Sequence, residues 1–324
     1  MSGTVLVTGA AGFIGSHLCE ALVARGDRVV GVDNFDPFYD RANKQANADA
    51  VAAAAGDSPG TFELLEADLN DQDRMTALFG AASPDTVVHL AAKAGVRPSI
   101  ADPVGYARAN ITATAGLMSL AETHGVSTLV IASSSSVYGN NDKTPFGEDD
   151  PVEHPISPYA ATKRACELIA HTHHHLTGMP TAMLRFFTVF GPRQRPDLAI
   201  NKFMRRVAQG EPITMFGDGS TSRDYTFIED IIRGIFAAMD RIGDHGYRIW
   251  NLGGDHPMRL DELIAAIGDT VGREPVVERA PMQPGDVERT WADLTRAKAD
   301  LGYACETPVR EGLSAQWAWL KGRL

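Results

Sequence analysis

An apolar strand that runs directly into three glycines and then a helix leaves few folds open to a chain. Here Thr4-Val5-Leu6-Val7-Thr8 is followed by Gly9, Gly12 and Gly15, while Phe13 and Ile14 open a helical repeat continued by Leu18, Leu22 and Val23. Unbroken apolar strands of this kind are buried on both faces, as in a parallel sheet covered by helices. Glycines at such a turn let the backbone approach a pyrophosphate, and the helix N-terminus beyond it is positive. The next strand closes on Asp33-Asn34. An acidic side chain there takes the ribose hydroxyls of an adenosine and repels a 2′-phosphate, which selects NAD over NADP. Asp68, in Ala67-Asp68-Leu69, lies past the third strand, where it either faces the adenine or helps to cap a helix.

The rest of the first half keeps the alternation. β-Branched runs at 4–8, 28–33, 62–67, 86–90, 128–133 and 181–186 read as strands, and 71–79, 104–124 and 158–177 as helices. The implied fold is α/β: a Rossmann-type doubly wound parallel sheet with a smaller C-terminal α/β substrate lobe. Segment 35–60 breaks the rhythm with Pro37, three aromatics and an alanine-rich stretch, and reads as a surface insertion carrying a loose helix. Beyond Phe187, closely spaced prolines and glycines punctuate shorter elements. A helix over 225–241 and a strand over 247–252 are expected to return to the first sheet. The 324 residues therefore divide into a cofactor domain, 1–188 with about 225–254, and a lobe of 189–224 and 255–324.

Two further clusters carry chemistry. Tyr159 and Lys163 stand four apart at the start of a helix announced by Ser157-Pro158, so phenol and ammonium share one face. A free tyrosine, with a pKa of about 10, is a poor base near neutrality, but a neighbouring ammonium and a cationic nicotinamide favour its phenolate. The strand over 128–133 ends at Ser134, where ligands of parallel sheets bind, so its hydroxyl can bridge a substrate oxygen and Tyr159. The run His171, His173, His174, His175 lacks carboxylates or cysteines at helpful spacing, so no metal is expected.

Lysine plus arginine is 30 against 41 aspartate plus glutamate, a formal charge of −11. That balance argues against a nucleic-acid partner, which needs clustered cations. Anionic nucleotides then depend on local positive charge: the helix N-terminus, Lys163, Arg193, Arg195 and Arg223. Three dispersed cysteines, Cys19, Cys166 and Cys305, read as reduced thiols. No apolar run has the ~20 residues of a membrane span, and a cytoplasmic location is expected.

Taken together, Gly9/Gly12/Gly15, Asp33-Asn34, Asp68-Leu69, His89-Leu90-Ala91-Ala92, Asn110, Ser134, Tyr159/Lys163, Leu184 to Pro192, Arg223-Asp224-Tyr225 and Pro284-Gly285-Asp286 resemble the extended short-chain dehydrogenase/reductase family. The likeness runs essentially end to end and lies with its nucleotide-sugar epimerases. It implies NAD held by the motifs above, including Leu90, Ala91, Ala92 and Asn110, with Ser134, Tyr159 and Lys163 as the catalytic set. Within that family, Arg97, Thr188, Arg193, Arg195 and Pro281 to Asp286 look like UDP-glucuronate 4-epimerases; related galactose-type epimerases and decarboxylases usually carry Asn at position 188. The resemblance implies that Arg195, Thr188, Ser135 and Ser136 hold a sugar carboxylate, that Arg223 takes the diphosphate and Asp286 the nucleoside ribose, and that helices 104–124 and 158–177 pair two subunits in a homodimer. The expected activity is redox-neutral 4-epimerisation of UDP-glucuronate through a 4-keto sugar. Alternatives left open are a UDP-glucose or UDP-N-acetylglucosamine 4-epimerase, a UDP-glucuronate decarboxylase, and an inactive NAD-binding scaffold; Ser135-Ser136 stands where dehydratases carry Asp-Glu.

Overall fold

A computed structural model of the chain describes residues 3–282 and 287–324. Its strands are β1 (Thr4–Thr8), β2 (Arg28–Asp33), β3 (Thr61–Glu66), β4 (Thr86–His89), β5 (Thr128–Ser134), β6 (Thr181–Phe186), β7 (Thr188–Phe190), β8 (Ile213–Phe216), β9 (Ser222–Phe227), β10 (Tyr247–Leu252), β11 (Pro257–Arg259) and β12 (Val277–Ala280). Seven of them form one sheet in the order β10-β6-β5-β4-β1-β2-β3, with every neighbouring pair parallel. Helices cover both faces, so Leu6, Val7, Val130 and Leu184 are wholly buried. Each such side chain contributes about 1.5–3 kcal/mol of burial. The strand order reverses between β1 and β4, which opens a crevice at the carboxyl ends of those strands.

The helix Phe13–Arg25 follows the glycine turn and stops at Gly26, whose φ of 98° is left-handed. The helix Pro158–Thr177 starts as its sequence suggests: Pro158 occupies the first turn and the Ser157 side chain accepts from the Ala160 amide.

Three expectations are corrected. Segment 35–60 is not a loose insertion. It holds a 16-residue helix, Arg41–Gly56, capped by the Asp40 side chain and seated through Lys44, Asn47, Ala48 and Val51. Those four recur at helical spacing, but two are polar, so the inward face carries a weak apolar signal. The helix expected over 104–124 is interrupted: Pro103–Tyr106 and Ala113–Thr123 are α-helical, and Ala107–Thr112 between them forms a π-turn. The third is the helix from 225, which begins at Ile228 instead. Tyr225, Thr226 and Phe227 are spent in β9, paired with Thr188, Val189 and Phe190 of β7.

β7, β9 and β11 form a separate three-stranded sheet, and β8 pairs with β12. β10 then rejoins the large sheet beside β6. Among the described residues, no helix is long and apolar enough to cross a membrane.

Candidate active site

A cleft of about 650 Å³ runs along the carboxyl ends of the central strands, within the range of ligand pockets. One end of it is backbone. Gly9, Gly12, Phe13, Ile14 and Gly15 line it, and the turn is too tight for side chains. A Cβ on Gly15 would lie 2.0 Å from the Gly9 carbonyl oxygen, and Gly9 itself has φ +72°. A turn of this kind at a helix N-terminus can cradle a phosphate.

Asp33 and Asn34 line the same end. The Asp33 carboxylate accepts from the Ala11 amide at 3.2 Å and the Phe35 amide at 2.8 Å, and the buried Lys44 ammonium stands 3.6 Å away. Asp68 and Leu69 complete this wall. Burial opposes ionisation of Asp68, but hydrogen bonds donated by Asn70 and Asn34 outweigh it and hold the carboxyl below its usual range. The two acidic motifs named from sequence are thus tied to each other through Asn34.

Leu90, Ala91 and Ala92 form the floor. Beneath them His89 is sealed between the Thr8 hydroxyl at 2.7 Å and the Thr114 hydroxyl at 2.9 Å. Burial pushes its imidazole down to about 3, and the Lys163 ammonium acts in the same direction. His89 is a neutral strut, not an acid or base for the reaction. Asn110 does not line the cleft. Its side chain accepts from the Lys93 amide and donates to the Lys93 carbonyl and the Thr162 hydroxyl. The π-turn that carries it therefore fastens the loop after β4 to the helix bearing Tyr159.

Ser134, Tyr159 and Lys163 meet in the middle of the cleft. Lys163 is buried and donates to the Ala132 carbonyl at 2.8 Å, which aims the ammonium along the end of β5. The Tyr159 ring packs edge-on against Tyr106 at 6.4 Å. Ser134 accepts from the Ser136 amide at 3.2 Å and so caps the turn Ser135–Tyr138; Ser135 and Ser136 are half-buried there, outside the cleft lining. The arrangement offers a phenol, an ammonium and a hydroxyl to one substrate alcohol, which suits proton removal coupled to oxidation.

The far end is contributed by the chain after β6. Thr188 and Arg195 line it; Arg195 is held by Asp197 and stacks on Phe38, its Cζ 4.9 Å from the ring centroid. Arg193, two residues earlier, turns away with φ +63° and pairs with Glu20 on the helix Phe13–Arg25 at 2.6 Å. It joins the segment after β7 to that helix and is not brought to the cleft. Arg223 donates to the carbonyls of Ser222, Val287 and Glu288, and Arg97 lies over the Phe216 ring at 4.7 Å; neither lines the cleft. Asp286 lies outside the described residues.

Several cleft residues escaped sequence reasoning: Asp36, Phe38, Tyr39 and Lys44 from segment 35–60, and Lys93 and Arg108. The spacing of Lys44, Asn47, Ala48 and Val51 was the available signal. The histidine run is committed elsewhere, since His171 and His174 flank the Tyr247 ring and His173 lies 3.5 Å from Glu122.

A glycine turn at a helix N-terminus, an acidic wall, and a tyrosine and lysine in one cleft suit a nicotinamide-dependent enzyme that acts on an alcohol. The chain belongs to the NAD dependent epimerase/dehydratase family, whose model matches residues 5–253. It is 39% identical over 320 residues to the UDP-glucuronate 4-epimerase of Thermodesulfobacterium geofontis, covering 98% of this chain and 96% of that one. Its fold is similar to UDP-glucuronic acid 4-epimerase from Bacillus cereus, solved with UDP-glucuronic acid and NAD: TM-score 0.91, 33% identity, 99% and 100% of the two chains. It is also similar to UDP-glucose 4-epimerase from Thermotoga maritima, solved with UDP-glucose: TM-score 0.87, 30% identity, 98% and 99% covered.

Proposed function

We propose that the chain interconverts UDP-glucuronate and UDP-galacturonate by 4-epimerisation, without net oxidation. The broader reaction, NAD-dependent 4-epimerisation of a UDP-sugar, follows from family membership and the relatives named above. The observation that carries the uronate reading is the placement of Thr188 and Arg195 in one cleft with Ser134, Tyr159 and Lys163.

The cradle residues fit NAD: the glycine turn takes the pyrophosphate, Asp33 the adenosine ribose, and Lys163 the nicotinamide end. NAD supplies a reversible two-electron oxidation at sugar carbon 4. Tyr159 removes the hydroxyl proton on the way to the 4-keto sugar and returns it afterwards, and Ser134 orients the oxygen. A 4-keto uronate is a β-keto acid, and it loses carbon dioxide when the carboxylate bond aligns with the carbonyl π system. Arg195 and Thr188 hold the carboxylate out of that alignment while the keto sugar turns over to present its other face. Arg223 is proposed for the diphosphate and Asp286 for the nucleoside ribose.

We assign residues 1–188 with about 225–254 to the cofactor domain, and 189–224 with 255–324 to the nucleotide-sugar lobe. A homodimer is proposed through the helices over 103–123 and 158–177, because Val104, Leu168 and Leu176 are 79%, 54% and 76% exposed on them. The free cysteines fit a cytoplasmic location.

A panel of UDP-glucuronate, UDP-glucose and UDP-N-acetylglucosamine, followed by proton NMR with the purified NAD-loaded protein, tests the substrate. UDP-galacturonate forms fastest on the uronate reading; turnover of the neutral sugars alone contradicts it.

A further inference from the structure

Arg195 does not meet the cleft as a bare cation. Asp197, two residues on, takes its Nε at 3.0 Å and its Nη2 at 2.7 Å. That is one of the two edges by which a guanidinium gives a carboxylate two parallel charge-assisted hydrogen bonds. The other edge, Nη1 with the second Nη2 hydrogen, lies outside the pair, so an incoming carboxylate meets Arg195 beside the charge of Asp197.

The pair is held by a fastened loop. Gln194, between Arg193 and Arg195, is 3% exposed. It donates to the Val189 carbonyl and accepts from the Asn201 amide and from Gln316 of the C-terminal helix Val309–Leu320. Gln316 in turn accepts from the Gly191 amide. On the other side Phe38 lies under the guanidinium. Arg195 is thus positioned from three directions without Asp197: by its loop, by the C-terminal helix and by an aromatic face. What Asp197 adds is charge.

We propose that Asp197 is a specificity-determining residue, an internal carboxylate that competes with the substrate carboxylate for Arg195 and so weakens the grip on the sugar. The inference rests on the uronate reading above. A guanidinium already paired is close to neutral as a unit, and an incoming carboxylate gains attraction from Arg195 while meeting repulsion from Asp197. The enzyme needs this compromise. A fully charged arginine would bind the uronate strongly in one orientation, and binding that is equally strong before and after turnover of the ring slows the turn itself. With Asp197 present, the carboxylate is oriented but not locked. A neutral hexose placed there also leaves no unpaired cation behind, so discrimination against UDP-glucose is shallow.

The test measures binding and turnover separately. In NAD-loaded protein carrying Tyr159→Phe, which blocks turnover, calorimetry gives Kd for UDP-glucuronate and UDP-glucose, with and without Asp197→Asn. The expected result is that Asp197→Asn tightens UDP-glucuronate by about tenfold, the scale of one charge-assisted hydrogen bond, and leaves UDP-glucose unchanged or weaker. With Tyr159 intact, Asp197→Asn lowers both KM and kcat for UDP-glucuronate, and Asp197→Glu brings both back toward the wild-type values. Weaker or unchanged UDP-glucuronate binding in Asp197→Asn overturns the proposal, since Asp197 would then only position Arg195. The uronate reading fails separately, when Arg195→Ala leaves the Kd ratio of the two sugars unchanged in the Asp197-intact protein.

Discussion

Glu167 receives both Nε and Nη2 of Arg185, at 2.8 and 2.9 Å, across the gap between the helix Pro158–Thr177 and β6. The two are 0% and 1% exposed. Glu167 stands one turn beyond Lys163 and also accepts from Ser133 of β5, so one carboxylate ties the helix bearing Tyr159 and Lys163 to both strands beneath it. Burial alone would raise its pKa, but the Arg185 guanidinium reverses the effect and keeps the carboxyl below its usual range.

Removing Arg185 strips the buried Glu167 of its bidentate partner and leaves it only the partly exposed Arg164, 3.0 Å away. Arg185→Ala is expected to lower the unfolding free energy by about 3 kcal/mol, measured by urea denaturation. Replacing both partners with methionine is expected to recover most of the loss, because no charge is then stranded.

The sheet and the middle of the site were legible because both rest on local signals. Apolar strands, the glycine turn and the Ser157-Pro158 cap each act within a few residues. The far end of the site was less legible. Arg193 and Arg195 are near neighbours of the same type, and only the left-handed backbone at Arg193 and the burial of Gln194 send one to Glu20 and the other to the cleft. The helix over 41–56 leaves little trace in the sequence because its inward face uses the polar Lys44 and Asn47, and Asn47 donates to the Ala11 carbonyl 36 residues away. The Glu167–Arg185 pair is of the same kind, since charges joined only by the fold leave no periodicity.

Lys44 bears on cofactor choice. Its ammonium lies 3.6 Å from Asp33, so Asp33→Ala removes the anion that repels a 2′-phosphate and leaves a buried cation beside the ribose end. The expected outcome is weaker NAD binding and a shift of the Kd ratio toward NADP by about tenfold. Adding Lys44→Met is expected to abolish that shift. Fluorescence titration with the two reduced cofactors checks both.

The buried histidines are expected to make stability fall with acid, partly offset by Asp224, whose carboxyl burial pushes up to about 6 so that the folded chain takes its proton first. His89 has a folded pKa depressed from 6.5 to about 3, so between those values the unfolded chain binds a proton that the folded chain does not. Stability from this group is complete above pH 6.5 and is lost as pH falls, by about 2 kcal/mol at pH 5. His17, lowered to about 4 mainly by burial, adds in the same sense. Denaturant titrations at pH 7 and pH 5 measure the loss, and His89→Asn is expected to reduce it by about half.

The exposed apolar side chains Leu168 and Leu176 share one face of the helix Pro158–Thr177. Charging that face with Leu168→Asp is expected to convert a homodimer to monomer in sedimentation velocity at micromolar protein, with the secondary structure unchanged. A wild-type chain that sediments as a monomer contradicts the assignment.

The central claim is that a UDP-uronate is oxidised at carbon 4, turned and reduced again in one bound complex. UDP-glucuronate labelled with deuterium at carbon 4 tests this most directly, with product read by proton NMR and mass spectrometry. The account predicts UDP-galacturonate that keeps the label at carbon 4, no carbon dioxide release, and a rate reduced about 10²–10⁴-fold by Tyr159→Phe. Loss of the label to solvent, or a UDP-pentose as the main product, would contradict it.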